Sequence, residues 1–163
     1  MKVDSINREE KMELKIETTK KKAEVICCDE SRLIGSFFVS LRAPRYEGKE
    51  LVLDLLVSER TYLPFELDEG QIVLLQKSCI MAVVLKEGEM KISTSYQHEI
   101  SAKVHLYSGK PIEGKVFSDL PKTHARLSDF LNQNKTFFYI KVGEKDYLVN
   151  SQFVKFVRPI PSE

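Results

Sequence analysis

Two segments of this 163-residue chain carry the same landmarks in the same order, and this internal repetition constrains the fold more than any other feature. The spacing between matching landmarks is 79 residues at the start, 75 further along and 74 at the end. The matching residues are Ala23 and Ala102, Gly35 and Gly114, Asp54 and Asp129, Thr61 and Thr136, and Leu74 and Leu148. Because a drift of five residues corresponds to short loop deletions, we expect two copies of one structural unit.

The repeats divide the chain into four parts. Residues 1–22 are a polar N-terminal arm, residues 23–85 the first repeat, residues 86–101 a linker or an added strand, and residues 102–163 the second repeat. Apolar residues make up 42% of the chain, which is enough for real cores, and 30% charged residues predict a soluble surface. No apolar run approaches the roughly 18 residues that cross a bilayer, and the N-terminus lacks the apolar segment of a signal peptide. We therefore expect a cytoplasmic protein.

The pattern within the second repeat predicts its secondary structure. Residues 103–106 and 112–117 alternate around the turn Ser108–Pro111, which predicts a β-hairpin. Apolar residues at i, i+3 and i+4 then predict a short helix over residues 127–132. Three short strands follow, and the first repeat has the same order, β-β-α-β-β-β, with its helix over residues 50–57. Five strands of this size are expected to close into a small twisted barrel, because closure removes exposed edges.

Two pairs of equivalent residues have predicted architectural roles. Gly114 interrupts an alternating strand, which predicts a bulge or the close approach of another backbone, and Gly35 holds the equivalent position. Asp54 and Asp129 lie near the predicted helices, where a carboxylate can accept a hydrogen bond from backbone N–H groups or pair with a basic residue.

Two motifs in the second repeat resemble known families. The hairpin sequence over residues 109–116 is similar to the first signature of Sm-like barrels. The motif R-L-S-D-F-L-N at 126–132, followed by residues 135–138, resembles an uncharacterised bacterial domain family whose fold is expected to be Sm-like or SH3-like. The resemblance covers the C-terminal half and extends more weakly to residues 53–56 and 60–64. It implies a mainly β protein of two tandem small Sm-like/SH3-like β-barrels, each with one short internal helix. The family has no established activity.

The sequence departs from RNA-binding Sm proteins in two places. The predicted helix interrupts the region in which Sm proteins place a base-contacting asparagine, and the closing turn Asn150–Gln152 lacks the Arg-Gly pair of the second Sm signature. RNA binding is therefore the second hypothesis, and four basic residues are its candidate contacts: Lys110, Lys115, Lys122 and Arg126.

Charge is distributed unevenly between the repeats. Residues 23–85 have 10 acidic and 6 basic side chains, a net charge of −4, whereas residues 102–163 have 6 acidic and 10 basic, a net charge of +4. This asymmetry indicates either a basic binding face or attraction between unlike halves, within one chain or head-to-tail between chains. We favour the second interpretation, because the basic residues are spread out and form no dense run.

Side chains that could support catalysis are scattered. His98, His105 and His124 are isolated in sequence, and no histidine is placed to complete a triad with Ser128 and Asp129. Three cysteines without a C-x-x-C spacing predict neither a zinc site nor a disulfide framework. We therefore expect no catalytic, cofactor or metal site. The sequence predicts a non-catalytic binding or assembly module that self-associates or binds another protein, with no membrane partner.

Overall fold

The computed structural model describes residues 17–41, 50–90, 98–118, 126–133 and 136–161, and these residues form ten strands and two short α-helices. The first half contains β1 (Thr18–Cys27), β2 (Arg32–Ser40), α1 (Val52–Leu56), β3 (Tyr62–Leu67), β4 (Ile72–Gln76) and β5 (Ile80–Leu85). The second contains β6 (His98–Leu106), β7 (Ile112–Ser118), α2 (Leu127–Gln133), β8 (Phe137–Val142), β9 (Lys145–Asn150) and β10 (Val154–Pro159). The predicted mainly β composition, with both helices in place, is confirmed.

Two strands extend across the predicted boundaries of the repeats. The first strand begins at Thr18, so it includes five residues that were assigned to the N-terminal arm. The sixth strand begins at His98, so residues 98–101 of the predicted connection belong to the second hairpin. Residues 1–16 and 91–97 lie outside the described residues.

All ten strands belong to one antiparallel sheet, in the order β10-β6-β7-β8-β9-β5-β1-β2-β3-β4. Each half contributes its strands in the same internal order, the fifth strand first and then the first to the fourth. The halves are joined where β5 pairs with β9, with Val83 opposite Leu148. The described strand pairing is therefore an open sheet with β4 and β10 as its edges, and it does not include the closure of either half into a barrel.

Strand register is the same in both halves. Ala23 pairs with Gly35 in the first hairpin, and Ala102 pairs with Gly114 in the second. The pairing of β1 with β5 and that of β6 with β10 each contain one irregularity near the start of the fifth strand. The two halves therefore correspond strand for strand at the spacings that the sequence predicts.

The predicted roles of the paired glycines and aspartates are confirmed. A Cβ atom on Gly114 would lie 2.9 Å from a side-chain carbon of Ile140 and would overlap the carbonyl oxygen of Lys141, and Gly35 has the same relation to β3. The missing side chain lets the neighbouring strand come close. Asp54 accepts a hydrogen bond from the backbone N–H of Leu51 at 2.7 Å, and Asp129 lies 3.4 Å from the Nε of Arg126.

Two apolar cores lie against the sheet, and the strands at the junction of the halves contribute to both. Successive side chains of a strand point to opposite faces, so Leu148 enters the first core and Val149 the second. β5 also contributes to both cores, with Val83 in the first core and Met81 in the second, near the irregularity in its pairing with β1. All six residues of β5 are buried as a result. Among the described residues, no helix is long and apolar enough to cross a membrane.

Candidate functional site

The two halves of the chain contact each other where β5 pairs with β9. This pairing, together with the side chains of Phe137, Tyr139 and Leu148, is here called the internal junction. These three side chains belong to the second half but pack in the first core. Phe137 is 5% exposed and Leu148 is 0% exposed. The first half therefore obtains part of its core from the second.

A partly buried polar network reinforces the internal junction. The carboxylate of Glu89 accepts hydrogen bonds from the backbone N–H groups of Val52 at 3.0 Å and Leu53 at 3.1 Å. The hydroxyl of Tyr139 donates to the same carboxylate at 2.6 Å. Burial raises the pKa of the Tyr139 hydroxyl, and the negative charge of Glu89 raises it further. These bonds tie the connection between the halves to α1 and β8.

Asp146 is the second acid of the junction, and it is fully buried. Its carboxylate accepts from the backbone N–H of Met90 at 2.7 Å and forms an ion pair with Lys141 at 3.1 Å. Because its charge has both a cationic partner and a backbone donor, its burial is compensated. We interpret the Asp146 and Glu89 contacts as structural, since they attach the connection between the halves to the sheet.

Counterparts of the junction residues in the first half lie on the protein surface. Tyr62 corresponds to Phe137, Leu74 to Leu148 and Ile72 to Asp146. Tyr62 is 54%, Ile72 58% and Leu74 67% exposed. The register of β3 with β4 places all three on one face, here called the β4 face. Side chains that are buried in one half are thus matched by an exposed apolar surface in the other.

The opposite edge of the sheet, β10, is basic and aromatic. The ring of His105 stacks on that of Phe156, with 4.3 Å between the centroids. Lys155 Nζ and Arg158 Cζ lie 5.8 and 5.9 Å from the centroid of the same ring. The pKa of His105 is lowered by desolvation and by the positive charges of Arg158, Lys103 and Lys155. These residues give the β10 edge a positive character.

A pocket of about 540 Å³ lies between the β1–β2 turn of the first half and the β6–β7 turn of the second. Its apolar lining includes Met81 and Leu106, and polar side chains reach it from both halves. Four of them are charged, two acidic and two basic: Glu30, Arg32, Lys110 and Glu113. Arg32 is already bound to Glu24 at 2.7 Å. Because the lining charges are balanced, they do not select a ligand of one sign.

The basic residues proposed for RNA contact lie on separate elements. Lys110 belongs to the β6–β7 turn and lines the pocket between the halves. Lys115 is on β7, where its ammonium group pairs with Glu99. Arg126 precedes α2 and pairs with Asp129 at 3.4 Å. Lys122 lies outside the described residues.

The pairing of β5 with β9 was not predicted, although the sequence contains a signal for it. All six residues of β5 are apolar, and such a run is typical of a strand that is buried on both faces. The equivalent strand β10 contains Lys155, Arg158 and Pro159. The contrast between these matched segments distinguishes an internal strand from an edge strand.

The chain was compared with protein-family models, with curated proteins and with solved structures, and none of them matches it.

Proposed function

We propose that this protein is a non-catalytic binding and assembly module that associates with protein through the free edges of its sheet. The observation that carries the proposal is the β4 face. Tyr62, Ile72 and Leu74 are exposed there, although their counterparts are buried in the same chain. We further propose that each half is an Sm-like or SH3-like barrel unit and that the two arose by tandem duplication.

The shared architecture of the halves supports duplication. Both have the order of elements β-β-α-β-β-β, with a 3₁₀ turn before the last strand, at Lys77–Cys79 and at Ser151–Phe153. Gly35 and Gly114 each lie against a carbonyl oxygen of the third strand of their half. Contacts this close depend on the same local twist and register, which two unrelated strand arrangements would rarely share.

The β4 strand lacks the features that protect edge strands from pairing. Natural edge strands are commonly interrupted by proline, by lysine or by a bulge. The β4 sequence Ile-Val-Leu-Leu-Gln has neither residue type, and its pairing with β3 is regular. Its free backbone groups can pair with another strand, and Ile72 and Leu74 add apolar area that association would bury. Protein association explains why this surface is apolar.

Light scattering coupled to size-exclusion chromatography tests the proposal. We expect the wild-type protein to exceed the monomer mass of 18.8 kDa increasingly with concentration. Replacement Leu74→Lys should return it to the monomer, because a charge on the β4 face opposes its burial. Val57→Lys is the matched control, since Val57 is also exposed but follows α1 and belongs to neither β4 nor β10. A wild-type protein that is strictly monomeric and binds no protein partner would refute the proposal.

RNA binding is the second candidate function, and the β10 edge favours it. Phe156 is exposed and has two cationic groups near its ring, Lys155 and Arg158. Exposed aromatic rings beside basic side chains can stack the bases of a single strand. A labelled single-stranded RNA oligonucleotide should then bind with an affinity that falls as salt concentration rises. Absence of binding at low salt would eliminate this candidate.

A further inference from the structure

Among the described strands, the two that have a free edge, β4 and β10, are the counterparts of the two strands that meet in the internal junction. β4 occupies the place in the first half that β9 occupies in the second, and β10 likewise corresponds to β5. We infer that β4 of one copy pairs with β10 of a second copy, so that the internal junction is repeated between chains. This inference rests on the proposed assembly function and names its partner.

The internal junction predicts the register of this pairing. Within the chain, Val83 lies opposite Leu148, and Ala82 lies opposite Val149. Equivalent residues of β4 and β9, and of β5 and β10, are 74 positions apart in the sequence. Transferring the register places Leu74 of one copy opposite Val157 of the next, and Leu75 opposite Phe156.

Burial is incomplete at the positions that the pairing would bring together. Leu148 and Val83 are fully buried in the internal junction, whereas Leu74 is largely exposed and Val157 only partly buried. Val157 packs at the margin of the second core, just as Val83 belongs to the first. Docking would therefore place Leu74 against the second core of the neighbouring chain, as Leu148 lies against the first core within the chain.

Charge disfavours pairing between two β10 edges. Each of them contains Lys155 and Arg158, and their pairing would bring like charges together. β4 contains no charged residue, so a β4–β10 contact avoids this repulsion. The inferred register places Lys155 opposite Gln76 and Arg158 opposite Val73.

Pro159 limits the length of the new ladder. Ile160 donates its N–H to the carbonyl of Ser101 on β6 at 2.9 Å. Backbone groups alternate in direction along a strand, so the preceding residue, Pro159, faces the free side, where it has no N–H to donate. The ladder should therefore end at this position and be centred on Val157. Proline at the end of an edge strand also restricts which strands can pair with it.

The inferred interface is heterologous, because it joins two different surfaces of the same protein. Each copy that is added leaves one β4 edge and one β10 edge free, until the chain of copies closes into a ring or grows as a filament. A complementation experiment can therefore separate this arrangement from a symmetric dimer. It uses one variant with a damaged β4 edge and another with a damaged β10 edge.

The two variants are Leu74→Lys and Val157→Lys, measured by light scattering alone and as an equimolar mixture. Each alone should be monomeric, with self-association weakened at least tenfold. The mixture should form a heterodimer, because the intact β10 of the first variant meets the intact β4 of the second. If circular dichroism shows that Val157→Lys is unfolded, Phe156→Glu replaces it, because Phe156 is exposed and the inferred register places it opposite Leu75.

The outcomes distinguish the inference from the proposed function. A wild-type protein that assembles, together with variants that do not complement each other, refutes the β4–β10 pairing but leaves assembly intact. Self-association of either variant alone, at wild-type strength, also refutes it, since that variant lacks one of the required edges. A wild-type protein that neither assembles nor binds a protein partner refutes both.

Cysteine cross-linking tests the register. With the three native cysteines replaced by serine, Leu74→Cys combined with Val157→Cys should form disulfides between chains and give a ladder on a non-reducing gel. Directly opposed residues meet the Cα separation of about 4.4–6.8 Å that a disulfide needs. Gln76→Cys with Val157→Cys is the matched control, because a diagonal pair is separated by about 7–8 Å. Equal cross-linking of both pairs would refute the register, and a disulfide within one chain would refute the intermolecular contact.

Discussion

Replacing the equivalent leucines of the two halves by alanine should have opposite effects on folding and association. Leu148 is fully buried in the internal junction, and Leu74 is 67% exposed on the β4 face. A buried Leu→Ala replacement costs about 2–5 kcal/mol of unfolding free energy, because transfer and cavity terms add. We expect Leu148→Ala to lie in this range, since the surrounding strands β5 and β1 are held by their own pairing.

The expected effect of Leu74→Ala on the monomer is much smaller. Full burial of a leucine side chain contributes about 1.5–3 kcal/mol, and only about a third of that is realised when two-thirds of the side chain is exposed. The cost to the monomer should therefore be below about 1 kcal/mol. The remaining two-thirds, about 1–2 kcal/mol, would be gained on association, so the dissociation constant should rise by roughly tenfold.

Urea unfolding, followed by far-ultraviolet circular dichroism below the concentration at which the protein associates, measures the folding effects. Light scattering over a dilution series measures the dissociation constant. Leu148→Met is the control for burial without a large change in volume, and it should cost less than about 1.5 kcal/mol. The reasoning fails if Leu74→Ala destabilises the monomer as much as Leu148→Ala does. It also fails if Leu148→Ala costs less than about 1 kcal/mol.

Three further predictions concern the sheet and its titrating groups. Gly114→Ala should lower the midpoint of thermal unfolding strongly, because the new methyl group would overlap a carbonyl oxygen of β8, and an unchanged midpoint would contradict this close approach. The pKa of Tyr139 is raised, so its contribution to stability is present below the usual tyrosine pKa of about 10 and is lost as pH rises above it. In urea unfolding between pH 9 and 11, Tyr139→Phe should show a smaller loss of stability with rising pH than the wild type. At neutral pH it should lower the free energy of unfolding by about 1–3 kcal/mol, because Glu89 loses a hydrogen-bond donor. The pKa of His105 is lowered, so the midpoint of its NMR titration should lie below the usual histidine pKa of about 6.5. Arg158→Gln should raise this midpoint, because it removes a nearby positive charge, and an unchanged midpoint would contradict the charge effect.

The sequence predicted the local elements of the fold well, because each depends on short-range patterns. The apolar spacing of Leu127, Phe130 and Leu131 produced the predicted helix, and the alternation around Ser108–Pro111 produced the predicted hairpin. The repeated glycines indicated close backbone approach before any strand pairing was known. These features need only the preferences of neighbouring residues and the period of the element.

The candidate site was predicted only in outline. Unequal charge between the halves indicated association, but the four basic residues proposed for RNA contact do not include the aromatic and basic residues that lie together on the β10 edge. Phe156 and His105 are 51 positions apart in sequence and meet because β6 pairs with β10. Sequence spacing cannot identify such a contact, since it depends on which strands become neighbours.

The repeat, the two helices and the order of the strands along the chain follow from the sequence by itself. The tertiary structure alone decided that β5 pairs with β9, which joins the halves in one sheet and leaves β4 and β10 as its edges. Leu74 and Leu148 show the consequence, because both are leucines and they hold equivalent positions in equivalent strands. One is exposed and the other is fully buried. The difference arises because burial depends on the neighbouring strand, and only Leu148 has another half of the chain beside it.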